Sequence, residues 1–153
     1  MTDLTVVILT KNEEKNLRKC VESFRGVVKR FVIVDSFSTD GTEVLCRELN
    51  AELQKIGSCL DFYQNKWISY ADQLNWGLHN TGINTEWSMR MDADEEIMED
   101  LAEEIDEKLP QIKAPVNGVV LRRRVYFMGR WIKHGGRYPE LLLRIFRTGK
   151  ASC

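Results

Sequence analysis

Four acidic side chains form the strongest chemical signal in the chain: Asp92, Asp94, Glu95 and Glu96, within WSMRMDADEE at 87–96. The alternating run from Trp87 to Met91 predicts a strand entering a core, so the carboxylates fall at its carboxyl end. Side chains alternate along an extended chain, which would put Asp92 and Asp94 on one side with small Ala93 between them. Paired hard oxygen donors suit Mg²⁺ or Mn²⁺ that keeps open positions for phosphate oxygens. The plainer alternative is a solvated acidic turn in which Glu95 and Glu96 begin the next helix. An Asp-x-Asp pattern is short enough to recur by chance, so other clusters must decide between the two.

Three such clusters precede it: Thr10, Asn12 and Glu13; Asp35 to Asp40; and Gln73 to Asn75. The first two are expected at the ends of predicted strands, and the third nearby on a predicted helix. Leu4 to Leu9, LTVVIL, is a continuous apolar run, the pattern of a strand covered on both faces. Leu17, Cys20, Val21 and Phe24 then recur at helical spacing through a segment closing near Gly26. Phe31 to Asp35, FVIVD, predicts a second buried strand. The turn SFSTDGT follows, with Asp40 able to cap a helix that buries Val44, Leu45 and Leu49. Cys59 to Tyr63 is a short third strand, and a helix over 67–78 leads through Gly82 to the strand at Trp87. Met98, Leu101, Ile105 and Leu109 share one face of a helix that Pro110 ends.

Strand, helix, strand, helix implies right-handed crossovers and a mostly parallel α/β sheet, whose ligands bind beyond the carboxyl ends of the strands. The clusters would then supply an acceptor for a base or ribose, a turn around the base, and a cation site for a diphosphate. From Gly118 onward the pattern changes. Val119 to Phe127 and Leu141 to Phe146 predict a strand pair joined by a glycine-rich loop over 129–139, which holds His134 and Arg137. After the last strand, either an open sheet edge or a missing continuation is expected. Arg122, Arg123 and Arg124 cannot all share one strand face, and a solvated face is their default reading.

The chain has 153 residues, enough for one domain that buries about two-thirds of its unfolded surface. Lys plus Arg is 22 against Asp plus Glu 23, so the net charge of -1 gives no polyelectrolyte signature for nucleic acid. The first fourteen residues carry a short apolar run without a basic lead, reading as neither signal peptide nor membrane span. Cys20, Cys46, Cys59 and Cys153 lack a C-x-x-C spacing and read as reduced, structural thiols of a cytosolic protein.

TVVILTKNEE, VIVDSFSTDGT and DADEE, in that order and each beside a predicted strand, resemble glycosyltransferase family 2, which has the GT-A fold. DQLNWGL at 72–78 and FMGRWIKHGGRYPELLLRIFRTGKA at 127–151 are most similar to bacterial lipopolysaccharide core enzymes. The resemblance covers nearly the whole chain and implies a single GT-A-like donor-binding domain over 1–153. It implies nucleotide contacts at Thr10, Asn12, Glu13, Asp35, Asp40, Asn75 and Asp92. It also implies a Mg²⁺ or Mn²⁺ ion on Asp94, with His134 and Arg137 near the acceptor. Two positions depart from the family pattern: Phe37 stands where glycine is usual, and Leu74 where Lys or Arg is common.

The reaction so implied moves a sugar, with inversion, from a nucleoside-diphosphate sugar to a hydroxyl of a saccharide or lipid-linked acceptor. Peripheral contact with the inner face of the cytoplasmic membrane would suit a lipid-linked acceptor. The resemblance implies a general base in a later acceptor-side segment after the RIF strand, expected beyond residue 153, so 1–153 is expected to lack that segment; Glu140 reads as a solvated strand start. A non-catalytic nucleotide-sugar binding module is the alternative, since it would share every donor-side residue. Phosphotransfer through an aspartate nucleophile fits worse, because such enzymes carry D-x-D after the first strand and here it follows about the fourth.

Overall fold

The computed structural model describes residues 1–123, 126–127, 130–131 and 140–151. Strands β1 (Thr2–Thr10), β2 (Val28–Asp35), β3 (Cys59–Gln64) and β4 (Trp87–Asp92) alternate with helices α1 (Leu17–Glu22), α2 (Thr42–Gln54) and α3 (Tyr70–Asn80). Helix α4 (Glu99–Lys108) and a 3-10 turn over Leu109–Gln111 precede β5 (Gly118–Arg123), β6 (Tyr126–Phe127), β7 (Arg130–Trp131) and β8 (Glu140–Arg147). The main sheet has the order β3-β2-β1-β4-β8-β5. Its first four strands run parallel, while β8 runs antiparallel to both β4 and β5.

Both faces of β1 are covered, which is why its sequence is apolar without alternation. Leu4, Val6 and Ile8 join the larger core with Leu17, Phe24, Phe31, Leu49, Trp87 and Ile105. Val7, pointing the other way, packs with Val32, Val34 and Leu74 beneath α3. That helix lies close to the sheet because residue 77 is glycine: a Cβ there would sit 2.8 Å from Val34 Cγ2 and 3.2 Å from Val7 Cγ1. Leu74 is therefore a core residue, and the absence of a basic side chain at this position is accounted for by what surrounds it.

Register brings the polar clusters together. Thr10 pairs with Asp35, Leu9 with Asp92, and Asp35 with Gln64, so the carboxyl ends of four strands form one edge. The chain leaves β1 toward β2 and β3 on one side and returns to β4 on the other. The switch in strand order thus lies between β1 and β4, where open α/β sheets leave a crevice for ligands.

Several expected boundaries move. Helix α3 begins at Tyr70, three residues later than the spacing predicted, because Ser69 caps it: its Oγ accepts from the Asp72 amide at 3.1 Å. Trp67 and Ile68 are left exposed in the preceding loop. The strand expected over 119–127 stops at Arg123, and 126–127 pairs with 130–131 in a separate ladder. The last strand is not an edge: β8 lies between β4 and β5, and β5 takes the edge position. His134 and Arg137 lie outside the described residues.

Candidate functional site

Two groups of side chains line the carboxyl edge. The first joins the loops after β1 and β2. Asp35 is fully buried; its carboxylate accepts from Thr10 Oγ1 at 2.7 Å, from the Ser38 amide at 2.8 Å and from Ser38 Oγ at 2.5 Å. Asn12 has φ 54°, and its Oδ1 accepts from the amides of Thr39 at 2.8 Å and Asp40 at 3.3 Å, while its own amide donates to Ser38 Oγ. Asparagine tolerates this left-handed conformation better than most residues. The Glu13 amide donates to Thr42 Oγ1 at 3.0 Å, and Lys11 Nζ donates to the carbonyls of Ser36 and Phe37.

Asp40 accepts from the Thr42 amide and hydroxyl, satisfying a first-turn donor of α2 from just ahead of its cap position Gly41. Burial pushes its carboxyl upward, but these hydrogen bonds, with one from the Glu14 amide, outweigh burial and hold its pKa below the ordinary value. Gln73, also buried, ties this group to the loop after β3: its Nε2 donates to Ser36 Oγ at 3.1 Å and to the Asn65 carbonyl, and its Oε1 accepts from Asn65 Nδ2.

The second group is the acidic turn. Strand β4 ends at Asp92, and the Glu95 amide closes a turn onto the Asp92 carbonyl at 3.0 Å. Strand alternation therefore does not relate Asp92 to Asp94 as the sequence suggested; a turn does. Asp92 is half-buried, Ala93 buried and Asp94 exposed. Nor do Glu95 and Glu96 open a helix, since α4 starts at Glu99. Glu95 faces inward and receives both Nη1 and Nη2 of Arg144, at 2.7 and 2.9 Å, while its Oε1 also accepts from the Asp92 amide at 2.9 Å. Arg144 is 5% exposed. Burial, then the charge of Glu95, raises the pKa of Asp92; Arg144 opposes the shift and Asp94 adds to it.

A divalent cation suits this turn by charge and donor type. The carboxyl of Asp92 is disfavoured as an anion beside other anions, which a bound cation would relieve, and every donor is a hard oxygen. Among the described residues no three His, Cys, Asp or Glu side chains converge on one point. The protein would thus provide few ligands and leave the others to water and phosphate, the usual division for Mg²⁺.

The edge therefore gathers Thr10, Asn12, Glu13, Asp35 and Asp40 around the ends of β1 and β2 and places Asp92 and Asp94 at the end of β4, the strand beside β1. Asn75, on α3, lines an open groove with Asn65, Lys66, Asp72 and His79, and Asn65 is hydrogen-bonded to Gln73 of the first group. Sequence reasoning missed Arg144, Glu95 as its partner, Lys11 and Ser38. The lone charge inside LLLRIF was the available signal for Arg144, because an arginine in a buried strand requires a partner.

A profile of Glycosyl transferase family 2 matches residues 5–151. The chain belongs to that family. Its similarity to a lipopolysaccharide core biosynthesis glycosyltransferase, LpsC of Rhizobium meliloti, is 32% identity over 151 residues, 96% of this chain and 52% of the relative. An uncharacterized glycosyltransferase of Rickettsia felis is 28% identical over 106 residues, 69% of this chain and 34% of the relative. This family-2 chain thus spans about half the length of such relatives, or less. Among solved structures, S. aureus TarS 1–349 in complex with UDP has a TM-score of 0.59 at 21% identity, over 97% of this chain and 47% of that 1–349 chain. A Pyrobaculum calidifontis mannosyltransferase in complex with GDP-Man and Mn²⁺ has a TM-score of 0.58 at 23% identity, over 76% of this chain and 34% of its own. These likenesses establish the GT-A fold.

Proposed function

We propose that this chain is the donor-binding part of an inverting, metal-dependent glycosyltransferase that takes a nucleoside-diphosphate sugar and glycosylates a hydroxyl of a saccharide or lipid-linked acceptor. One observation carries the reading: the strand register aligns Thr10, Asp35 and Asp92 along one edge at the switch in strand order, with Asp94 just beyond it. The turn fastened by Asn12 and Asp40 would flank the nucleoside, and Asp92 and Asp94 would hold the divalent ion. That ion, when bound, supplies the charge stabilisation that a leaving diphosphate needs.

Each side chain then has a stated task. Glu95 holds the Asp92 amide and Arg144 holds Glu95, so the acidic turn is set before ligand arrives. Attack by the acceptor oxygen on the anomeric carbon forms the new glycosidic bond as the bond to the diphosphate breaks on the opposite face. The acceptor proton must pass to a base, and this reading gives that role to no residue of 1–153. Among the described residues no helix is long and apolar enough to cross a membrane. The relative LpsC, a lipopolysaccharide core biosynthesis glycosyltransferase, and the neighbours crystallised with UDP or with GDP-Man and Mn²⁺ support the donor class and the ion.

Thermal unfolding with UDP, GDP, CMP and dTDP, each with and without Mn²⁺, tests this. Ligand at about a hundredfold over its dissociation constant adds roughly 2.7 kcal/mol, on the order of 5 to 10 °C for a domain of this size. A shift that requires Mn²⁺ and disappears in Asp94→Asn is the expected result. No shift with any nucleotide would end the donor-site assignment.

A further inference from the structure

The turn after β2 contains one residue that neither packing nor backbone preference explains. Phe37 has φ 57°, in the left-handed region where a Cβ crowds the backbone and where bulky residues are genuine outliers. Its side chain is 54% exposed, so burial does not offset the strain. The neighbours nevertheless enforce the conformation. Lys11 Nζ donates to the carbonyls of Ser36 at 3.0 Å and Phe37 at 2.8 Å. On the following residue, both the amide and the hydroxyl of Ser38 are fastened to Asp35. A strained conformation persists where its surroundings over-determine it, and such places concentrate at ligand clamps. Here the clamp leaves an aromatic side chain exposed in the turn that follows the carboxyl end of β2.

The environment of Asp35 makes that side chain useful. The resemblance gives this carboxylate a nucleotide contact, yet it has no exposed surface and is taken up by Thr10 and Ser38. Another group must hold the base, and a flat π-surface suits a flat heterocycle. The geometry points to Phe37 as the stacking platform for the nucleobase of the donor, with Asp35 acting one step back as the residue that shapes the platform's turn. This rests on the donor-site reading above and adds a specificity consequence. Stacking accepts any base because every base has a π-face, so the chain should discriminate weakly between uridine and guanosine diphosphates.

Calorimetric titration of UDP, GDP and inorganic pyrophosphate, each with Mn²⁺, into the wild-type chain and into Phe37→Gly, Phe37→Leu and Phe37→Tyr tests the assignment. Loss of the ring in the Gly and Leu variants is expected to weaken both nucleotides about tenfold or more, and the Tyr variant to keep wild-type affinity. Pyrophosphate, which has no base, should bind all four proteins equally. Glycine also relieves the left-handed backbone, so Phe37→Gly without ligand should melt roughly 2 to 4 °C above wild type. A Gly or Leu variant that binds nucleotide as well as wild type would overturn the stacking role alone. Wild-type protein that binds neither nucleotide would overturn the donor site and the platform together. Equal weakening of pyrophosphate and nucleotide would show that Phe37 merely supports the turn, and would also overturn the proposal.

Discussion

The loops after β1 and β2 and the acidic turn after β4 occupy the same sheet edge but are held in opposite ways. In the first, many hydrogen bonds share the work: Asn12, Lys11, Asp35, Ser38, Asp40 and Gln73 each fasten part of one turn. In the second, one bidentate ion pair between Arg144 and Glu95 braces a cluster of like charges. The contrast follows from what each region would bind. Under the proposed function, a largely neutral nucleoside would be received by a preformed surface, whereas a cation would need uncompensated negative charge and a rigid support behind it, and the diphosphate would be held through that cation.

The sharpest way to break the comparison is to remove that ion pair. Arg144→Met removes the bidentate partner of Glu95 beside the half-buried Asp92, and urea denaturation should show a loss of about 3–5 kcal/mol. The double variant with Glu95→Met should recover much of that loss, since two apolar side chains replace a desolvated pair. A loss below about 1 kcal/mol in the single variant, the ordinary value of a surface pair, would show that the acidic turn does not depend on this ion pair.

On the distributed side, single losses should be smaller. Gln73→Leu strands Ser36 Oγ and the Asn65 groups and should cost about 1–3 kcal/mol. Asn12→Gly keeps the left-handed backbone and should retain more stability than Asn12→Ala, which loses the same hydrogen bonds and is strained as well. Equal melting temperatures for the two Asn12 variants would mean that the backbone conformation at φ 54° contributes nothing there.

The smallest effect is in pH dependence, and its sign differs between the regions. The pKa of Asp40 is lowered in the folded state, so its contribution is present above the ordinary carboxylate value and is lost as pH falls through the depressed one. The pKa of Asp92 is raised, chiefly by burial, so the folded state takes up its proton first and gains stability from Asp92 as pH falls from the raised value to the ordinary one. Melting curves across the acid range should therefore separate Asp40→Asn from Asp92→Asn. The first removes stability that wild type has at neutral pH, and the second relieves a cost. Matching profiles for the two variants would erase the distinction.

Strand order of types and the polar cluster at the end of each strand were legible from residues alone. A fully covered strand must be apolar throughout, as Leu4 to Leu9 is, and a loop that carries backbone turns must carry residues such as those of SFSTDGT. The family was legible as well, because the motifs TVVILTKNEE, VIVDSFSTDGT and DADEE keep their order and spacing. Other features required long-range placement. That β8 enters the sheet between β4 and β5 depends on which edges are free once β1 has paired on both sides, and local periodicity carries no such information. Arg144 and Glu95 are 49 residues apart, so their pairing is decided by packing. The sequence determined which residues gather at the strand ends, since period and polarity are local properties. Only the tertiary structure decided that Asp35 is buried and Phe37 exposed, because burial depends on what the rest of the chain brings to the same place.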